Sequence, residues 1–142
     1  MILKSALAFA AALMMTGAAQ AQTCGGGQAP AGTEVRGPVL MVLDGQRLCV
    51  ATGAERSEWA ELLIRGADQG PAPVNGALGS ALLMSVAFGQ NADCRVGADG
   101  LADCRVAGQP LTALLRRPGA LRTAQAWVRK PAVEAPVLLA SR

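Results

Sequence analysis

The chain predicts a β-rich α+β domain: three strands, a helix, two further strands and short C-terminal helices. Three observations predict it. Apolar runs of strand length, broken by Asp-Gly and Gly-x-x-Gly turn signals, occupy residues 35–50 and 91–107. Between them Leu78, Leu82 and Val86 recur every four residues, the spacing of a core-facing helix stripe. Two prolines and two glycines in residues 66–74, and Pro110, Pro118, Gly119 and Pro131 further on, cut the chain into short elements.

Residues 1–21 read as a cleavable secretory signal. Lys4 supplies the positive start, residues 5–15 form an apolar run, and Ala19-Gln20-Ala21 is a small-x-small cleavage site, which makes Gln22 the mature start. The run is short of the roughly 20 residues that span a bilayer, and no later run is long enough. Cys24 follows Thr23, where a lipid-modified cysteine would need a small residue. A periplasmic or secreted protein is therefore expected, with no membrane span after signal cleavage.

The mature part has 121 residues, enough for one core, and its 12 basic and 10 acidic residues leave a net charge of only +2. So mild a charge does not argue for a nucleic-acid partner. The absence of His excludes imidazole-based hydrolase triads and most zinc sites, and leaves a catalytic thiol without a base. All four cysteines, Cys24, Cys49, Cys94 and Cys104, lie in the mature part. An even count in an exported chain implies two disulfides with three possible connectivities.

Along the chain, residues 22–34 are Gly-rich and read as a flexible lead-in. In the domain proper, 35–130, residues 39–43 form a strand, Asp44-Gly45 a turn, and Leu48-Cys49-Val50 the return. Residues 52–57 are a polar loop and 59–65 a third strand. Residues 66–74 are a Pro/Gly loop without regular structure. Asn75 caps a helix over 76–88, with Gly89 as its stop. Residues 91–96 and 101–107 pair as a second hairpin about the loop 97–100. Cys94 and Cys104 then fall nearly opposite each other, which pairs them and leaves Cys24 with Cys49 by elimination. Pro110 opens a short helix through Arg117, Pro118-Gly119 ends it, and 120–130 form a last helix stopped by Pro131. Residues 131–142 are a tail without pattern. This order is that of a small five-stranded OB-type barrel with a helix between strands three and four.

The residues also resemble a known family. Residues 42–48 (VLDGQRL) look like the V-x-D-G-D-T-L turn of the thermonuclease (staphylococcal-nuclease-like) family, and 62–68 (LLIRGAD) are similar to its V-R-L-x-G-I-D segment. Cys94 to Cys104, with Ala102 two residues before the second cysteine, resembles the cysteine hairpin of secreted bacterial members. LLRRPG at 114–119 resembles the L-x-R-x-G helix end. Cys49-Val50 followed by Trp59-Ala60-Glu61 resembles an alphaproteobacterial branch, and the whole likeness covers roughly residues 35–121.

The resemblance implies phosphodiester cleavage by carboxylate-held metal, a water-activating Glu and two Arg that hold the phosphate. This chain departs from that set. Asp44 and Asp68 match two carboxylates, but Gln46 replaces the second metal-ligand Asp. Leu63 takes the place of the first Arg, although Arg65, two residues on and on the same face, is a substitute. No acid stands at 71–74, where the Glu belongs. Asp99 falls near the second Arg and reverses its charge. With no Tyr, only Trp59 and Trp127 are left to stack a base, and a lone Trp more often buries its ring. Asp44 and Asp68 also have ordinary turn roles. Arg116, Arg117, Arg122, Arg129 and Lys130 are solvated cations or a basic C-terminal face.

The expectation is thus an exported, disulfide-stabilised nuclease-like pseudoenzyme that has lost phosphodiesterase activity, needs no cofactor, and acts as a binding or structural module with an unspecified partner. The alternative is an active secreted nuclease with a rearranged site, in which Asp44 and Asp68 hold Ca²⁺, Arg65 holds phosphate, and DNA or RNA is the substrate. A third reading is a disulfide-stapled envelope protein unrelated to nucleases.

Overall fold

A computed structural model describes residues 23–130; residues 1–22, with the expected signal and its cleavage site, and 131–142, read as a tail, lie outside the described residues. Six strands and three α-helices follow one another: β1 Glu34–Val42, β2 Arg47–Ala51, β3 Trp59–Ile64, α1 Ala77–Ala87, β4 Asn91–Val96, β5 Leu101–Val106, β6 Gln109–Pro110, α2 Leu111–Leu115 and α3 Pro118–Arg129. The sheet order is β3-β2-β1-β4-β5-β6. A parallel pairing of β3 with β5, Leu63 opposite Leu101 and Ile64 opposite Ala102, closes the first five strands into a barrel. This is the small OB-type α+β barrel that the element order implies, with α1 between β3 and β4.

Closure depends on β1 serving two neighbours. Its first half, Glu34 to Pro38, pairs with β4, and its second half, Val39 to Val42, pairs with β2 across a register shift at Leu40. Such a bulge bends a strand and increases its twist. The bend passes through Gly37, whose φ of +153° and contact with the chain leave no room for a side chain: a Cβ there would overlap the carbonyl oxygen of Ala51. Glycine lets two backbones approach at the corner of a small barrel.

Alternation sorts the strands. Val35 and Val39 from β1, Leu48 and Val50 from β2, Leu62 and Ile64 from β3, and the Ala92-Cys94-Val96 and Ala102-Cys104-Val106 sets point inward. Burying side chains of this size gains roughly 1.5–3 kcal/mol each. Leu82, Leu83 and Ala87 of α1, Leu111, Leu114 and Leu115 of α2, and Ala124 of α3 close one end of this core. Among the described residues no charged or polar side chain is buried, and no helix is long and apolar enough to cross a membrane.

Both disulfides form. Cys94 and Cys104 are directly opposite in the β4–β5 ladder, with Cα atoms 4.1 Å apart, inside the barrel. Cys24–Cys49 lies outside that core, on the other face of β2. The Gly-rich segment read as a lead-in brings Cys24 there: Gly26 N–H donates to the Trp59 carbonyl and Ala29 N–H to the Glu61 carbonyl, so the segment runs along β3. Disulfides persist in oxidising compartments, which accords with a chain handled outside the cytosol.

Several boundaries differ from the sequence reading. Strand β1 starts five residues earlier than the run 39–43, because Glu34 and Arg36 take the polar outer face while Val35 turns in. The loop 66–74 contains a 3₁₀ turn at Ala67–Gln69. Gly76, not Asn75, is the N-cap of α1, and no side-chain cap bond forms. The most buried stripe of α1 includes Gly79, Leu83 and Ala87, with Leu78 and Val86 at its margin. Ala107-Gly108, both at positive φ, turn the chain back into β6, an element that the sequence reading missed. The helix opened by Pro110 ends at Leu115, and Pro118 starts α3 instead of only ending its predecessor, since proline suits a first helical turn.

Candidate functional site

The residues that the sequence singled out lie on the β1–β2 turn, at the end of β3 and on the β4–β5 turn. Asp44 is fully engaged in its own turn. Its Oδ1 accepts the N–H groups of Gln46 and Arg47, each at 2.8 Å, and its Oδ2 accepts Arg47 Nε at 2.8 Å. Partial burial pushes the Asp44 carboxyl up, but the Gln46 N–H and the Arg47 guanidinium and N–H outweigh it and hold the group below its ordinary value. Arg47 also reaches Glu61 at 3.5 Å. Asp44 thus does what aspartates do in Asp-Gly turns.

Gln46 faces the end of β3, where its carbonyl accepts the Ile64 N–H and its Nε2 donates to the Ile64 carbonyl at 3.5 Å. One residue on, Arg65 continues the outer face that includes Leu63, as alternation requires. Its backbone N–H donates to the Ala102 carbonyl, which extends the β3–β5 seam.

That seam brings Arg65 to the β4–β5 turn. The guanidinium donates to Asp99 at two points, Nη1 to Oδ2 at 2.6 Å and Nη2 to Oδ1 at 2.8 Å, while Nε reaches Asp103 Oδ2 at 3.2 Å. The Arg65 side chain first, then the Leu101 N–H, hold the Asp99 carboxyl below its ordinary value, and Asp99 followed by Asp103 raises the pKa of Arg65. The sequence reading took Asp99 as a reversal of charge near the place of the second arginine. In the structure it neutralises the arginine left to bind a phosphate. No spacing rule reveals this pair, whose members are 34 residues apart.

Asp68 sits exposed on the 3₁₀ turn after β3, and among the described residues nothing pairs with its side chain. Neither Asp44 nor Asp68 lines the cleft beside Arg65. That cleft, of about 290 Å³, lies over the outer face of β4 and β5 against the start of α2. Three arginines, Arg65, Arg95 and Arg105, and three acids, Glu34, Asp93 and Asp103, line it in electrical balance. Cross-strand register makes the balance: Glu34 stands opposite Arg95, Arg95 opposite Asp103, Arg36 opposite Asp93, and Asp93 opposite Arg105. Arg95 reaches Glu34 at 2.6 Å and holds its carboxyl below the ordinary value; Arg36 reaches Asp93 at 3.2 Å.

The Ca²⁺ of the alternative reading needs six to eight oxygen ligands. Among the described residues no three Asp, Glu, Cys or His side chains stand close enough to hold a metal, both Asp44 oxygens are already in use, and all four cysteines are in disulfides. The side chains present do not fit that ion.

The two tryptophans differ from each other. Trp59 lies on β3 half-buried, with Arg56 5.6 Å from its ring centre and its indole N–H buried without a partner among the described residues. Trp127 does not bury its ring: it is 48% exposed in the last turn of α3. Arg116, Arg117, Arg122, Arg129 and Lys130 are all exposed: Arg122 and Arg129 on α3, Arg116 and Arg117 between α2 and α3, and Lys130 just after α3. Compared with family models, with curated proteins and with solved structures, the chain finds no match in any of the three.

Proposed function

We propose that this chain is an exported, periplasmic or secreted, disulfide-stabilised domain of thermonuclease-like descent that no longer cleaves phosphodiesters and serves as a binding or structural module. The observation that carries the proposal is the closure of Arg65 by Asp99 and Asp103. An arginine bound at three points to two carboxylates offers a phosphate no free fork, and the two acids outweigh its charge. Transition-state stabilisation of a phosphoryl group needs cations aimed at the developing charge. Gln46, Leu63 and the acid-free stretch at 71–74 support the same reading, because the second metal carboxylate, the first arginine and the base are all missing.

The test is incubation of the chain from Gln22 to Arg142 with single-stranded DNA and RNA in Ca²⁺, Mg²⁺ or Mn²⁺ across a range of pH. The expected result is no cleavage above a buffer control. Cleavage abolished by Asp44→Ala or Asp68→Ala overturns the proposal and makes the chain an active nuclease.

A further inference from the structure

The end of the described chain carries charge of one sign. From Val106 to Lys130 there are five cations, Arg116, Arg117, Arg122, Arg129 and Lys130, and no Asp or Glu. Every ion pair among the described residues uses other arginines, namely Arg36, Arg47, Arg65 and Arg95. Elsewhere on the surface acid and base alternate and cancel; here they do not.

This charge coincides with exposed apolar surface. In α3, Leu121, Ala124 and Val128 share a stripe with Trp127 at its edge, while Arg122 and Arg129, seven residues apart, share the opposite side. Ala124 is fully buried in the core that α3 helps to close, yet Trp127 and Val128 in the last turn stay 48% and 46% exposed. Arg129 and Lys130 follow them directly. Arg116 and Arg117 stand at the other end of the helix, about 18 Å away along its axis. Arg117 does so against the helix dipole, which disfavours a cation at an N-terminus.

An indole and an aliphatic side chain beside cations are what an interfacial helix presents to a bilayer: the apolar groups enter the headgroup layer and the cations meet lipid phosphates. A nucleic-acid strand would use the cations and stack on the indole but gain nothing from Val128. We propose that the end of α3, Trp127 to Lys130, docks the barrel reversibly on an anionic lipid surface, with Arg116, Arg117 and Arg122 drawing it there.

Vesicle co-sedimentation tests this with the chain from Gln22 to Arg142, which contains all of the described fold. The expected result is retention on phosphatidylcholine vesicles containing phosphatidylglycerol, loss of retention at high salt, and none on phosphatidylcholine alone. In a Trp59→Phe background, which leaves Trp127 as the single reporter, emission shifts to the blue on binding. Arg129→Gln with Lys130→Gln lowers partitioning by about 20–30-fold, at roughly fivefold per surface cation, and Trp127→Ser removes retention at the same protein concentration. Unchanged thermal midpoints show that both variants fold. No retention on anionic vesicles, equal retention on neutral ones, or retention indifferent to both variants overturns the proposal. Tighter binding to a single-stranded oligonucleotide than to vesicles overturns it in favour of nucleic acid.

Discussion

Arg65 at the end of β3 and Asp99 on the β4–β5 turn meet at two points, 2.6 and 2.8 Å, and so tie the two elements whose parallel pairing closes the barrel. The same contact occupies the arginine that the nuclease reading offers as the phosphate holder. A residue that resemblance assigns to chemistry thus acts in the structure as a surface clasp.

If the clasp is the main role of this pair, its members depend on each other. Arg65→Ala, Asp99→Ala and the double variant, compared by urea unfolding, are expected to show a double variant less destabilised than the sum of the singles. The coupling should shrink as salt rises, because the pair is exposed. Strict additivity would mean that the contact contributes nothing in solution.

Stability should be flat from about pH 5 to 8 and fall in acid. The chain has no His, and its cysteines are all in disulfides, so no side chain titrates near neutrality from an ordinary pKa. Glu34, Asp44 and Asp99 all lie below their ordinary values. A carboxyl held down in the folded state contributes stability that is complete above its unfolded value of about 4 and is lost as pH falls through the lowered folded value. Thermal midpoints measured from pH 8 to 2 should therefore drop only below about pH 4, and Asp44→Asn should remove part of the drop. A fall between pH 7 and 5 would contradict this.

The two disulfides should contribute through different parts of the molecule. The chain-entropy relation assigns about 2.5–3 kcal/mol to the 10-residue Cys94–Cys104 loop and about 3.5 kcal/mol to the 25-residue Cys24–Cys49 loop. Replacing Cys24 and Cys49 by Ala should free the segment 23–33 for limited proteolysis and leave the barrel intact. Replacing Cys94 and Cys104 by Ala also leaves a gap in the core and should lower the urea midpoint of the whole domain. Non-reducing peptide mapping checks the pairing itself.

Gly37→Ala should be costly. Its φ of +153° and the overlap of a Cβ with the Ala51 carbonyl oxygen predict a loss of more than about 2 kcal/mol. Gly89→Ala, at φ +75° with nothing within 4 Å of the added atom, should lose only about 1 kcal/mol. Equal losses would show that β1 can bend without the close approach of β2.

Local chemistry made much of this fold legible. Asp44-Gly45 and the 97–100 turn marked both hairpins, Gly89 marked the end of α1, and the positions of Cys94 and Cys104 in the second hairpin indicated their pairing before any contact was known. The less legible parts depend on neighbours. Asn75 is a better capping residue than Gly76, yet the packing of Gly79 against Pro73 and Val74 sets where α1 begins. The first half of β1 reads weakly, because its outer residues are charged and its strand character comes from pairing with β4.

What the sequence by itself determined was the five barrel strands and the helices, their order, the cysteine pairing and the absence of an imidazole, all set by short-range pattern and composition. What only the tertiary structure decided was which distant groups meet. The β3–β5 seam joins residues 38 apart in the chain and places Arg65 on Asp99 and Asp103. Packing against the core buries Ala124 while the last turn of α3 leaves Trp127 and Val128 in solvent. Side-chain partners across a closed barrel follow from strand register and closure, and no local pattern encodes either.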